Sequence, residues 1–354
     1  MKKLFFISVS LVFIFSSCGN NQPKNVATQA NETTSVDADL LKQAQIFFKA
    51  LPATAEIADI KMTPEKVSLG KMLYYDSRLS KKGNNSCNSC HNLNTFGVDN
   101  EATSVGDEGK RGGRNSPTTL NAALHFLQFW DGRAKDVEEQ AGMPIMNPVE
   151  MNIPSKVFLE KKLIGIDEYK KAFAAAFPES KSAVTYDNLQ KAIGAFERTL
   201  ITPSRFDHFL NGDSTALNTD EKKGLSTFIA SGCTTCHTGM LLGGSMFQKF
   251  GLVNDYRPLT GSKVNDDGRK AVTKKDEDKD MFKVPSLRNI TKTNPYFHDG
   301  SVNDINKAVQ IMAKAQLNKD LNDEEIKSIV SFLESLTGEV PADAKIAPQG
   351  IATK

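Results

Sequence analysis

The pentapeptide Cys-x-x-Cys-His occurs twice in this chain of 354 residues, as CNSCH at 87–91 and as CTTCH at 233–237. In c-type cytochromes the two thiols of this motif add to the vinyl groups of a haem, and the adjacent histidine binds the iron. Two chance occurrences are rare in a chain with five cysteines and five histidines. We therefore expect two covalently attached haem c groups, held by Cys87, Cys90, His91, Cys233, Cys236 and His237.

Other uses of these four cysteines are a zinc site, a pair of thioredoxin-like redox motifs and a disulfide scaffold. Paired zinc ligands usually lie closer together in sequence, and neither zinc nor thiol redox chemistry requires a histidine after both motifs. A disulfide scaffold is disfavoured because the chain is large and its cysteines are few.

The N-terminus has the order of a secretion signal. Lys2 and Lys3 precede an apolar run at 4–15, and two serines then lead to Cys18. That run is too short to span a bilayer. We expect a lipoprotein-type signal peptide at 1–17, with simple secretion as the alternative. A lipid on Cys18 would hold the protein in the cell envelope or periplasm, through a flexible polar tether at 18–39.

Composition and periodicity predict a mainly α protein of two domains. The net charge is +2, without a basic run, so we expect no nucleic-acid partner. Strand-like alternation is scarce, and the long periodic stretches have helical spacing. We place two cytochrome c-like domains at 40–203 and 204–340, each with one haem, followed by a tail at 341–354.

Each motif is expected to follow one helix and to precede another. Helical stretches at 67–75 and 219–229 lead into the two motifs, and Thr219 is the expected N-cap of the second stretch. Amphipathic helices are expected at 186–200 and after Asn322, which resembles a cap because a glutamate follows three residues later. These later helices would close the two haem pockets.

Six further segments resemble the bacterial dihaem cytochrome c peroxidases. They are RNSPT at 114–118, QFWDGR at 128–133, EQ at 139–140, PVEM at 148–151, PSLRN at 285–289 and PYFHDG at 295–300. The resemblance runs from about residue 45 to residue 338. It implies reduction of hydrogen peroxide to water, with electrons from a small cytochrome c or a cupredoxin.

The resemblance also assigns roles to the two haems. The N-terminal haem, with His91 as proximal ligand, would meet peroxide, and the C-terminal haem of His237 would receive electrons. Met312 matches the second ligand of that haem, although a methionine at helical spacing is by itself more often core. A thioether favours ferrous iron and raises the potential. A tyrosine there would have indicated relatives that oxidise a protein tryptophan.

On the peroxide side, Glu150 matches the family's catalytic carboxylate and Gln140 its hydrogen-bonding companion. A carboxylate near an open iron face moves the peroxide proton while the O–O bond breaks. Trp130, the single tryptophan, matches the aromatic residue that carries electrons between the haems. Without the resemblance, Glu150 would be expected to lie on a solvated loop and Trp130 to pack in the hydrophobic core.

The resemblance implies calcium between the domains, bound by Asn115 and by the carbonyl oxygens of Thr293 and Pro295, with waters completing the shell. The histidines outside the haem motifs are not expected to bind iron. They are His125, His208 and His298.

One position departs from the family pattern. Many members block the peroxide-site iron with a histidine in the loop after the first motif, but Asp107 stands there and 92–124 contains no histidine. We hypothesise that the site is open even in the oxidised protein. Rival functions are a dihaem electron carrier without peroxidase activity and a relative that oxidises a protein substrate. The natural donor and the existence of a homodimer are left open.

Overall fold

The computed structural model describes Met1 and residues 26–57 and 61–353, with only the backbone given for 26–36. The predicted signal peptide, apart from Met1, and the predicted lipid site Cys18 lie outside the described residues. No helix in the described part of the chain is long and apolar enough to cross a membrane.

The described chain is mainly α, as expected from its periodicity. Its helices are α1 (Val26–Phe47), α2 (Pro64–Tyr75), α3 (Cys87–Cys90), α4 (Val137–Met146), α5 (Lys156–Ile164), α6 (Asp167–Ala176), α7 (Tyr186–Glu197), α8 (Arg205–Leu210), α9 (Thr219–Ala230), α10 (Tyr256–Thr260), α11 (Lys270–Thr273), α12 (Ile305–Leu317) and α13 (Asp323–Glu334). Strands β1 (Phe247–Lys249) and β2 (Met281–Lys283) form an antiparallel pair, with Phe247 opposite Lys283.

The same helix crossing occurs once beside each Cys-x-x-Cys-His motif. Helix α2, which precedes the first motif in sequence, packs against α7. Helix α9, which precedes the second motif, packs against α13. A methyl group added at Gly70 of α2 would lie 1.8 Å from the Ala192 carbonyl oxygen, and one at Gly224 of α9 would lie 1.9 Å from that of Ser328. Both crossings therefore require glycine because the two backbones touch.

Of the two helix N-caps that the sequence predicts, one is confirmed and one is wrong. Asn322 and Glu325 form the expected capping box of α13. The expected N-cap Thr219 is wrong, because the side chain of Asn218 accepts the hydrogen bond from the Glu221 amide and Thr219 is already helical. Asparagine caps at least as well as threonine, so the helix starts one residue earlier.

The first half of the molecule is residues 40–203 and the second half is residues 204–340. The segment after α1 and the C-terminal tail each pack on the half that lies farther away in sequence. Phe48, which follows α1, is buried edge-on against Phe206 in the core of the second half. The tail packs on the first half, where the Tyr75 hydroxyl donates to the Ala344 carbonyl at 2.7 Å. Leu40, Ala44 and Phe48, at the start of the expected first domain, thus pack in the core of the expected second domain. The expected tether at 18–39 overlaps α1 from Val26 onward.

Buried side chains fix the junction between the halves. Thr202, at the expected boundary, accepts hydrogen bonds on Oγ1 from Asn121 Nδ2 at 2.8 Å and from Asn289 Nδ2 at 2.9 Å. Asn289 Oδ1 in turn accepts from the Gly338 amide at 2.9 Å. Buried amides need hydrogen-bond partners. This network links Asn121 and Thr202 of the first half to Asn289 and Gly338 of the second half.

We expect Gly224→Ala to lower the free energy of unfolding by about 1–3 kcal/mol, the usual cost of overpacking, even though alanine is the better helix former by about 1 kcal/mol. Denaturant unfolding of the haem-loaded protein measures it. Gly113→Ala is the control because its added methyl group would meet nothing within 4 Å. Equal stability of both variants would contradict the close crossing.

Candidate functional site

The first motif forms a short helical turn. Ser86 and Ser89 make a capping box around α3, which brings Cys87 and Cys90 onto one turn. His91 follows, and its Nδ1 lies 2.9 Å from the Pro117 carbonyl oxygen. Burial lowers the pKa of His91. Because a carbonyl oxygen can only accept, Nδ1 is the donor and Nε2 is left as a ligand. This is how metal-bound histidines are usually oriented.

The second motif repeats that arrangement. His237 is buried, its Nδ1 lies 2.9 Å from the Leu242 carbonyl oxygen, and burial lowers its pKa. A mostly apolar cavity of about 240 Å³ is lined by Cys233, Cys236, His237 and Met312. Free thiols, a neutral imidazole and a thioether around an apolar space suit a covalently attached haem. The expected ligands of the second haem are therefore brought together.

Glu150 lies beside the first motif. The pKa of the Cys90 thiol is raised to about 11, chiefly by burial, against a lowering hydrogen bond with Ser104 and with smaller contributions from the charges of Asp99 and Glu150. The pKa of Glu150 is itself raised by burial, against the opposing effects of Arg133 and a hydrogen bond from Asn147. A half-buried carboxyl group with a raised pKa near a reactive centre is suited to exchanging protons.

The hydrogen bond to Glu150 comes from a residue that the sequence reading missed. Asn147 Nδ2 donates to Glu150 Oε1 at 2.8 Å, whereas Gln140 was expected as this companion. Asn147 is the C-cap of α4, and its carbonyl accepts from the Glu150 amide at 3.0 Å. The tight turn from α4 into 148–151 sets this contact. Position 147 directly precedes the PVEM segment, which was the available signal.

Asp107 is held away from solvent in a closed loop. Its amide donates to the Glu150 carbonyl at 2.6 Å, and its Oδ1 accepts from the Lys82 amide at 2.9 Å. A methyl group added at the preceding Gly106 would lie 1.8 Å from the Val149 carbonyl oxygen. The loop therefore packs directly on the backbone that carries Glu150, with position 107 fixed at its base.

Trp130 and Asn115 meet at the junction of the two halves. Trp130 Nε1 donates to the backbone carbonyl of Asn115 at 2.9 Å. The backbone amide of Asn115 donates to the backbone carbonyl of His298 at 2.8 Å. Trp130 also lines the cavity of the second motif, together with Thr293 and Pro295. Asn115, one of the expected calcium ligands, is thus hydrogen-bonded to Trp130, the expected electron route, and Thr293 and Pro295 line the same cavity.

The donor set at this strip suits a hard cation in part. Asn115 Nδ2 donates to the Glu101 carbonyl at 3.0 Å, so its Oδ1 is left as an acceptor. Within residues 26–57 and 61–353 no group of three or more His, Cys, Asp or Glu side chains could hold a metal. A cation here would therefore rely on amide and carbonyl oxygens and on water.

The three histidines outside the motifs have different surroundings. His208 is exposed on α8. His298 is buried and stacked on Phe282 with ring centroids 4.2 Å apart. His125 lines the cavity of the second motif, where its Nδ1 meets the Lys283 ammonium.

Known proteins resemble this chain over most of its length. A family model described as di-haem cytochrome c peroxidase matches residues 64–215. The cytochrome c551 peroxidase of Nitrosomonas europaea is 46% identical over 82% of this chain and 86% of its own length. That of Pseudomonas aeruginosa is 46% identical over 87% of this chain and 90% of its own.

A solved structure supports the same fold. A MauG-like protein associated with microbial copper homeostasis superposes with a TM-score of 0.75 at 28% identity, covering 85% of this chain and 97% of that one. Identities of this size over four fifths of the chain, together with the two haem motifs, settle the family. The chain belongs to the di-haem cytochrome c peroxidases.

Proposed function

We propose that this enzyme, a peroxidase by its family, reduces hydrogen peroxide to water at a haem bound by Cys87, Cys90 and His91. The second haem, bound by Cys233, Cys236, His237 and Met312, receives electrons from a small cytochrome c or a cupredoxin. The observation that carries the proposal is the difference between the two sites. Glu150 lies beside the first motif, and Met312 lines the cavity of the second.

The side chains around the first site perform the proton transfers. When bound, the haem iron supplies the coordination site and electrons for splitting the O–O bond. Glu150 accepts the proton from the near oxygen of peroxide and returns it to the leaving oxygen as water forms. Asn147 holds the carboxylate from one side through its bond to Oε1. Gln140 remains a proposed second partner.

Trp130 is proposed as the route between the two sites. It lines the second cavity, its indole donates to Asn115 of the first half, and its carbonyl accepts from the Lys283 amide at 2.7 Å. These contacts hold the indole in one place at the junction. A fixed aromatic ring between two haems shortens the distance over which each electron must travel.

Replacing Glu150 should remove most of the activity while leaving both haems in place. We expect Glu150→Gln to lower the rate of peroxide turnover by about 100-fold to 10,000-fold, the usual contribution of a positioned acid–base group. Steady-state oxidation of a reduced small cytochrome c measures it. The control is Glu108→Gln, an exposed carboxylate in the neighbouring loop.

Unchanged turnover by Glu150→Gln would favour one of the rival functions. A dihaem electron carrier would show no peroxide turnover in the wild-type enzyme. A relative that oxidises a protein substrate would show slow turnover without dependence on Glu150.

The first haem is proposed to have an open face in the oxidised protein. Position 107 carries an aspartate whose carboxylate accepts from the Lys82 amide, and the loop is fixed on the Glu150 backbone. His125, the nearest histidine later in sequence, instead contacts Lys283 in the second cavity. The described side chains around Asp107 therefore offer no imidazole to block this iron.

The ferric enzyme should show a high-spin signal for the first haem without any pre-reduction. Electron paramagnetic resonance of the fully oxidised protein measures it, with His125→Gln as a matched variant that leaves this signal unchanged. A low-spin, bis-histidine signal would overturn the open site, and its loss in His125→Gln would name the ligand.

Calcium is proposed at the junction, on Asn115 Oδ1 and the carbonyl oxygens of Thr293 and Pro295. We expect Asn115→Leu to weaken calcium binding at least tenfold, about 1.4 kcal/mol, in calorimetric titration of chelator-treated enzyme. Asn94→Ala, at an exposed asparagine, should bind as the wild type does. A wild-type enzyme that binds no calcium would contradict this site.

We also propose an envelope location, with a lipid on Cys18 holding the enzyme in the periplasm. The supporting features are the charged and apolar N-terminal segment before Cys18 and the haem c motifs. Mass spectrometry of the mature N-terminus tests this. A homodimer is also consistent with the sequence, and sedimentation analysis decides it.

A further inference from the structure

A buried lysine lines the cavity of the second motif without an acidic partner. The Lys283 side chain is at the end of β2, and the residue is only 5% exposed. Its ammonium contacts His125 Nδ1, which carries no negative charge. Burial lowers the pKa of Lys283 to about 7. A lysine is rarely buried to this extent unless an anion lies beside it.

The lining of this cavity supplies no such anion. Among the described residues that line it there is no aspartate or glutamate. The other cation, Arg288, is already satisfied, since its two terminal nitrogens donate to the Asp207 carboxylate at 2.6 and 2.9 Å and its Nε donates to the Met240 carbonyl. Lys283 is therefore the cation in this lining that remains available to a ligand.

Haem c carries two propionate carboxylates, so the proposed occupant of the cavity brings the missing charge. We propose that Lys283, positioned by His125, binds a propionate carboxylate of the haem held at Cys233 and Cys236. This inference rests on the proposed function, because it requires a haem at the second motif. A charge-assisted bond of this kind offsets the cost of burying both ions.

Two contacts fix Lys283 for this role. Its amide donates to the Trp130 carbonyl at 2.7 Å, and His125 reaches it from the first half of the molecule. The residue thus joins the second cavity to the proposed electron route. A positive charge held there favours the reduced haem, which carries one more negative charge than the oxidised haem.

Lys283→Met tests the inference on the two-haem enzyme. We expect the variant haem at Cys233 and Cys236 to hold its electron at least tenfold more weakly, a fall of about 59 mV in midpoint potential for a one-electron couple. Optical redox titration measures it. Lys283→Arg should keep the wild-type potential, and so should Lys249→Met, which removes an exposed lysine from the neighbouring β1.

Lys283→Gln serves as a second neutral variant if Lys283→Met does not fold. A midpoint potential in a neutral variant that corresponds to less than a twofold change in electron affinity would overturn the inference. Lys283 and His125 would then form a neutral pair without a propionate. Haem content keeps the two claims apart. A wild-type chain with fewer than two covalently bound haems would overturn the proposed function itself.

Discussion

The imidazole of each haem motif is held by one backbone carbonyl. Both distances are 2.9 Å, from His91 to Pro117 and from His237 to Leu242. A histidine fixed through Nδ1 has one orientation and one ring nitrogen left for a metal. Beside each motif two helices cross, and Gly70 and Gly224 let their backbones touch.

The differences between the two halves fit the separate roles proposed for them. The first half places a carboxyl group with a raised pKa next to its motif, which suits proton transfer. The second half surrounds its motif with apolar side chains and the Met312 thioether, which suits storage of an electron. Trp130 and Asn115 lie at the junction of the two halves, where Thr202 accepts hydrogen bonds from the buried amides of Asn121 and Asn289.

Local patterns predicted the local structure well. Helical periodicity identified α7, α9 and α13, and the spacing of Asn322 and Glu325 identified a cap. The error at Thr219 arose because two adjacent residues can both cap, and only the observed side-chain bond from Asn218 distinguishes them. The motif residues of each proposed haem site could also be recognised in the sequence, because covalent attachment of haem depends on a short sequence spacing.

Contacts between distant segments could not be read from the sequence. Phe48 packs on Phe206 and the tail packs beside Tyr75, because apolar surface finds its partner in three dimensions. Asn147 donates to Glu150 through a turn whose geometry the sequence did not specify, although position 147 directly precedes the PVEM segment. The contact of Lys283 with His125 joins residues 158 positions apart, so neither residue alone suggested a ligand-binding role.

The central claim is that this chain turns over peroxide with electrons that enter through its second half. The most direct measurement is oxidation of a reduced small cytochrome c after peroxide is added to the fully oxidised, two-haem enzyme. We expect steady oxidation from the first turnover, without a lag and without pre-reduction. Absence of peroxide-dependent oxidation, in both the oxidised and the one-electron-reduced enzyme, would contradict it.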